Sequence, residues 1–339
     1  MPILTEWISV DGLLKARNMV EVLKKRKETR VVTRQEILRI RFIEEYIDSI
    51  DKTYGMACIG PMGHYARPLQ CVYSQVRQGR LYCQTRQGPK WEDGVPSYVC
   101  AQGMPSALRP VLMGQWGRDI DIENCHVVLM YQLSKYYHLW PEHNGQVQPL
   151  NLCELESLAT KRNEFFRHVA DVHFIEEPIK ENIKPLFLRI LYGGTYDTWL
   201  KMRGDYFAKR SPKVIRLEQE IRILQNCILN SKRFEHIINA ENTYQKKKGK
   251  DVDAVQRGAF SKVAQHLENC VLQSMYDYLI KKEWTVLSLI FDGLIVQDKP
   301  GEVLDLNAMA DHVEHMTQFV VNIIEKPLLG ITSEPEDLL

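Results

Sequence analysis

Eight cysteines stand at 58, 71, 83, 100, 125, 153, 227 and 270, yet no two of them form a Cys-x-x-Cys pair. Several lie in apolar runs, so they read as reduced intracellular thiols rather than a disulfide frame or a zinc site. The sequence has no apolar run of 18 residues and no N-terminal hydrophobic signal, which argues against a membrane span and an export leader. It also lacks a Gly-rich phosphate loop ending in Gly-Lys-Ser/Thr, which sets aside the P-loop nucleotidases. Neither an internal repeat nor a low-complexity segment is present, so a solenoid is excluded. Charge of one sign is missing too: 44 Lys and Arg face 43 Asp and Glu, for a net charge of +1. The expected location is intracellular, in cytoplasm, nucleus or a viral replication site, with no membrane partner.

What is there is ordinary globular material, 339 residues at 45% hydrophobic and 26% charged, enough for a sizeable core in two or three subdomains. A near-neutral total can hide a basic groove, and the charges are unevenly spread. Residues 15–34 carry eight Lys or Arg against two Glu, residues 246–250 read Lys-Lys-Lys-Gly-Lys, and the C-terminal tail is acidic (Glu334, Glu336, Asp337). Each basic run by itself is most simply a solvated face. Apolar spacing predicts helices over 12–50, 124–138, 152–171, 178–192, 213–243, 258–282 and 304–325. Short strands are expected at Gln70–Val76, Leu81–Gln84 and 118–124, and a strand, tight turn and strand over 284–297. A His/Pro/Gly/Asn-rich loop follows at 138–150. The fold class is α/β in the α+β, helix-rich sense, with no flexible interdomain linker.

Three segments carry chemistry. In Lys184–Pro185–Leu186–Phe187–Leu188–Arg189–Ile190–Leu191–Tyr192–Gly193 the lysine, Leu188 and Tyr192 are four apart, so one helix face spans about 12 Å between them. A lysine at one end suits a phosphate, and a tyrosine followed by glycine at the other suits a base. Before it, Asp119–Ile120–Asp121–Ile122 puts both aspartates on one face of a strand, where both reach one hard cation. The plain alternative is an acidic strand end capping the helix that starts near Asn124. After it, Phe291–Asp292–Gly293 tips an apolar hairpin. Asp-Gly is a common type I′ turn signal, so the plain alternative is only a turn. Two carboxylates from different strands are also what two-metal phosphoryl transfer needs.

The order of these segments resembles the family A (DNA polymerase I-like) DNA polymerases, in a compact form lacking the exonuclease. Asp121 followed by His126 five positions on matches the first palm motif. Lys184, Tyr192 and Gly193 match the finger-helix spacing, with Lys180 a turn earlier. Only Asp292 matches the last palm motif, since Phe291 and Gly293 replace its His and Glu. Gly79–Arg80–Leu81 and Gln102–Gly103–Met104–Pro105 are similar to upstream primer–template elements, so the resemblance runs from about 79 to 297.

The resemblance implies a right-hand polymerase with palm, fingers and a reduced thumb. It divides the chain into a thumb-like N-terminal region (1–78), a first palm part (79–150), fingers (151–257) and a second palm part (258–339). It implies catalytic roles for Asp121, Asp292 and Lys184. Nucleotide contacts fall to Lys180, Lys184, Leu188, Tyr192, Gly193 and His126. Nucleic-acid contacts fall to Arg80, Gln102, Arg109 and Gln265. The metal site comprises Asp121, Ile122 and Asp292, with Asp119 either a ligand or a surface partner of Arg118. The cofactor is two Mg2+ ions, for which Mn2+ substitutes, and the partners are primer–template, dNTPs and other replication proteins. His126 stands where the family has an acidic gate residue. Its bulk obstructs a ribose 2′-OH, although an imidazole also hydrogen-bonds one. Pro185 directly after the lysine leaves open a helix start near 184 or a kink. Two other readings remain: a single-subunit RNA polymerase or primase, which shares the Lys-to-Tyr-Gly spacing, and an inactive polymerase-like module that only binds nucleic acid.

Overall fold

A computed structural model describes residues 2–26, 33–90, 96–135, 142–143, 146–147, 150–205, 208–328 and 334–338. Most of the loop expected at 138–150 lies outside the described residues, as does part of the first basic run. In chain order the elements are β1 Ile3–Ser9, α1 Val10–Arg26, α2 Arg34–Asp51, β2 Cys58–Ile59, β3 Tyr65–Gln75, β4 Leu81–Gln84, β5 Gln87–Lys90 and β6 Pro96–Tyr98. Next come α3 Leu108–Met113, β7 Gly117–Ile122, α4 Cys125–Leu133, β8 Glu142–His143 and β9 Gln146–Val147. A helical stretch follows: α5 Cys153–Thr160, α6 Arg162–His173, α7 Ile179–Leu191, α8 Tyr196–Arg203, α9 Pro212–Leu229, α10 Glu235–Lys247 and α11 Val252–Lys281. The chain closes with β10 Val286–Ile290, β11 Gly293–Gln297, α12 Leu306–Thr317 and β12 Ile323–Lys326. The fold is mixed α/β and helix-rich.

Two compact units emerge: residues 1–76, 80–123 and 269–339 form one, and residues 77–79 and 124–268 the other. Among the described residues the first unit holds two four-stranded antiparallel sheets, one ordered β1-β3-β2 with β4 on β3, the other β10-β11-β7-β12, and the two-stranded β5-β6 pair. The core of this unit packs α1 and α2 (Leu13, Val20, Ile43, Tyr46, Ile47) against Leu108, Leu112, Trp116, Leu287 and Ile295. A capping box, Thr33–Arg34–Gln35–Glu36, starts α2: Thr33 accepts from Glu36 N, and Glu36 accepts from Thr33 N at 2.8 Å.

The second unit is built on helices α4–α10 and the start of α11, up to Glu268. Phe187 of α7 stacks on Phe166 of α6 with centroids 4.9 Å apart and meets Phe165 edge-on at 5.2 Å. The N-terminus of α5 has no cap of its own. Glu220 of α9 accepts from Glu154 N and Leu155 N (3.0 and 2.8 Å), an anion where the helix needs one.

Several boundaries differ from the sequence expectation. The stretch 152–171 breaks at Lys161, 213–243 breaks near Asn230, and α4 ends at Leu133. The helix expected over 304–325 stops at Thr317, where Gln318 turns left-handed (φ 64°). The chain then forms β12, because Val320, Val321, Ile323 and Ile324 are β-branched and favour an extended backbone. Residues 3–9, outside the expected strands, form an edge strand on β3. No described helix is long and apolar enough to cross a membrane.

Candidate functional site

In the first unit the two acidic segments meet in one sheet. Strand β11 runs antiparallel to β7 with Gly293 opposite Asp121, and Ile122 N donates to the Asp292 carbonyl at 3.2 Å. Asp119 and Asp121 share a strand face, as alternation requires, while Ile120 and Ile122 are buried. The turn is not the one expected. Ile290 pairs with Gly293, so Phe291–Asp292 form the two-residue loop, and Phe291 itself takes φ 53°. A bulky residue held left-handed stores strain beside Asp292. Gly293 is a strand residue for a different reason. A Cβ there would lie 2.6 Å from the Ile120 carbonyl oxygen and 2.9 Å from Asp121 Oδ1.

The electrostatics single out Asp121. Burial, then the neighbouring charge of Asp292, pushes its carboxyl up to about 6, against the pairing of Lys326 from β12. Burial also raises Asp119, with Asp292 adding to it and Lys326 and Arg109 opposing. Arg109 is lowered by burial, feels both aspartates, and donates through Nε to the Ala101 carbonyl at 3.2 Å. Carboxylate oxygens are the donor type that a hard divalent cation takes. The donors are carboxylates crowded enough to resist ionising together, and the fold already answers Asp121 with one cation, the Lys326 ammonium. Nothing local marks Lys326, whose β12 strand overlaps the end of the apolar helical spacing of 304–325.

The remaining upstream residues divide. Arg80 lays its guanidinium over the Phe291 ring, 4.8 Å from the centroid. Gln102 is buried and its amide is committed to backbone. It accepts from Cys83 N (3.0 Å) and donates to the carbonyls of Leu81 (3.0 Å) and Leu289 (3.3 Å), tying β4 to β10.

In the second unit α7 runs unbroken from Ile179 to Leu191 with Pro185 inside. Lys180 is therefore helical, and the proline is tolerated on an exposed side. Ile183, Leu186, Phe187 and Ile190 form the buried face, leaving Lys180, Lys184 and Leu188 exposed together on the other. Gly193 at φ 81° ends the helix and Gly194 N returns to the Arg189 carbonyl at 2.8 Å, which fixes Tyr192 at the terminus. The Tyr192 hydroxyl is hydrogen-bonded to His126 Nδ1, the rings meeting edge-on at 5.7 Å. His126 Nε2 lies 2.5 Å from Glu268 Oε2 of α11. Neither Glu268 nor the Tyr192–His126 link was foreseen, since nothing in the spacing ties residue 126 to 268. Gln265 accepts from Lys262 Nζ at 2.8 Å, and both side chains rest against Gly79.

No protein-family model matches the chain. "Putative helicase V13" of Sputnik virophage is 25% identical over 231 residues, 67% of this chain. The chain spans about a quarter (27%) of that relative's length. Among solved structures, the POL domain of Pol1 from M. smegmatis, in complex with DNA primer-template and dNTP, is similar with a TM-score of 0.48 and 11% identity, over 86% of this chain and 52% of that one. Likenesses of that size leave the activity to be argued from the chain's own residues.

Proposed function

We propose that this chain is a template-directed DNA polymerase of the family A type, adding deoxynucleotides to a primer 3′-OH without a proofreading exonuclease. The observation that carries this reading is the carboxylate cluster: Asp121 on β7, beside Asp119, pushed up to about 6 by burial and by Asp292 from the strained tip of the adjacent apolar hairpin. Buried like charges of this kind mark sites where a cation is used rather than where a fold is stabilised. Bound divalent ions, two Mg2+ in this reading, would lower the pKa of the attacking hydroxyl and neutralise the leaving pyrophosphate.

The protein's own part is positional. Asp121 and Asp292 hold the cations, with Asp119 and the Ile122 backbone beside them. Arg109 and Lys326 restrain the aspartates while no metal is bound. Lys184, with Lys180 a turn before it, neutralises the triphosphate, and Leu188 and Tyr192 complete that face of α7. His126, held by Tyr192 and Glu268, gates the sugar. Arg80 and Gln265 contact primer or template, whereas Gln102 supports that element from behind. The right-hand architecture of palm, fingers and reduced thumb belongs to this reading, as does an intracellular replication role.

Primer extension across DNA and RNA templates with dNTPs or NTPs tests it. Metal-dependent dNTP addition, abolished by Asp292→Asn, is the expected result. Strong NTP addition by the unmutated protein would give the RNA polymerase or primase reading instead. Binding without extension under every template and metal would leave a nucleic-acid-binding module.

A further inference from the structure

We propose a second metal site of different chemistry, for a borderline-soft divalent cation of the zinc class, at Cys125, His126 and Glu268. All three belong to the second unit and are buried (4%, 8% and 1% exposed). One ligand atom from each, the Cys125 thiol sulfur, an imidazole nitrogen and a carboxylate oxygen, lies within 4.8 Å of the other two. Sequence spacing hid this, because Cys125–His126 is no metal motif without the partner supplied by α11.

A further observation supports the assignment. Histidines that bind metals hold their other ring nitrogen in a hydrogen bond, which sets the tautomer and aims the ring. The Tyr192 hydroxyl does this at Nδ1, leaving Nε2 directed at Glu268. Glu6, Cys71 and Cys83 also converge within 4.8 Å. The Glu6 carboxylate accepts from Tyr54, Tyr73, Ser288 and the Ala101 amide at 3.1, 3.0, 2.8 and 2.7 Å, which makes it a strand tie, and Cys83 serves as the internal control.

Sulfur, nitrogen and one carboxylate suit Zn2+ over Mg2+, which wants oxygens alone. Three protein ligands leave a fourth position for water. Coordination replaces the thiol proton of Cys125, which is released to solvent, and no electron moves.

The test is Co2+ binding to the chelator-treated full chain in excess Mg2+, read by absorption, so that it stands or falls separately from any polymerase activity. A near-ultraviolet thiolate-to-cobalt band saturating at one equivalent is expected, with Zn2+ abolishing it. Cys125→Ser removes the band, Glu268→Gln weakens binding by about tenfold or more, and Cys83→Ser leaves it intact. Circular dichroism checks each variant's fold. Absence of the band in the unmutated protein, its survival in Cys125→Ser, an unchanged Co2+ affinity in Glu268→Gln, or its loss in a folded Cys83→Ser would overturn the assignment.

Discussion

Two buried carboxylate sites of the first unit make opposite use of the same chemistry. Glu6 lies fully buried on β1, and burial raises its pKa, but four donors meet its two oxygens. Asp121 on β7 is raised as well, yet its neighbours include Asp292 and Asp119, and Lys326 is the cation that answers them. A satisfied carboxylate ties strands together. A carboxylate set against its own kind is a fault in the fold unless a cation comes to it. On the proposed reading, the difference separates the structural acid from the one that would meet a cation.

Neutralising each acid in turn has the largest expected effect. Asp121→Asn is expected to lower primer extension by about 10³-fold, ~4 kcal/mol of lost transition-state stabilisation, while thermal stability holds or rises. A large fall in melting temperature would place Asp121 with Glu6 as a structural group. Glu6→Ala is expected to do the reverse. It strands Tyr54, Tyr73, Ser288 and the Ala101 amide in a dry interior, at about 3–4 kcal/mol of stability. Urea denaturation reads this directly, and a loss under about 1 kcal/mol would show that water reaches the network.

pH sharpens the contrast next. Asp121 holds its proton up to about 6 in the folded chain against 3.8 for the ordinary group, so between those values the folded state binds more protons. Its contribution is fully present below 3.8 and is lost as pH rises through 6, about 2–3 kcal/mol in all. Stability at pH 7.5 relative to pH 4 should therefore improve in Asp121→Asn. Millimolar Mg2+ should stabilise the unmutated protein at pH 7.5 and have little effect on that variant. Melting curves at the two pH values, with and without Mg2+, check both; an unchanged pH slope in the variant would remove Asp121 from the account.

Much of this was legible from local chemistry. Alternation put Asp119 and Asp121 on one face, four-residue spacing put Lys184 and Leu188 on one exposed face of α7 with Tyr192 at its C-terminal cap, and the apolar 284–297 run formed its hairpin. What stayed hidden depends on distant pairing. Lys326 reaches Asp121 only because β12 adds to the edge of β7, and Glu268 reaches His126 only across α4 and α11. Gln102 has the composition of a surface reader, and only burial shows its amide bonded to three backbone groups. Asp-Gly suggested its usual turn. Pairing of Ile290 with Gly293 moved the turn one residue back, since the sheet register on β7 outweighs a local turn preference.

That shift yields the smallest but most local test. Gly293 brings β11 against β7 so closely that a methyl group would meet the Ile120 carbonyl oxygen at 2.6 Å and the Asp121 carboxylate at 2.9 Å. Backbone cannot yield as a flexible side chain does, so Gly293→Ala must part the strands or turn the carboxylate away. Stability should fall by about 1–2 kcal/mol. The same displacement takes Asp121 from the Asp292 charge and toward water, so its pKa should drop from about 6 toward the ordinary 3.8. Denaturation and a carboxyl NMR titration of the same variant measure both. Lost stability with an unmoved titration would mean that burial alone sets Asp121, and that the closeness of the two aspartates has no part in it.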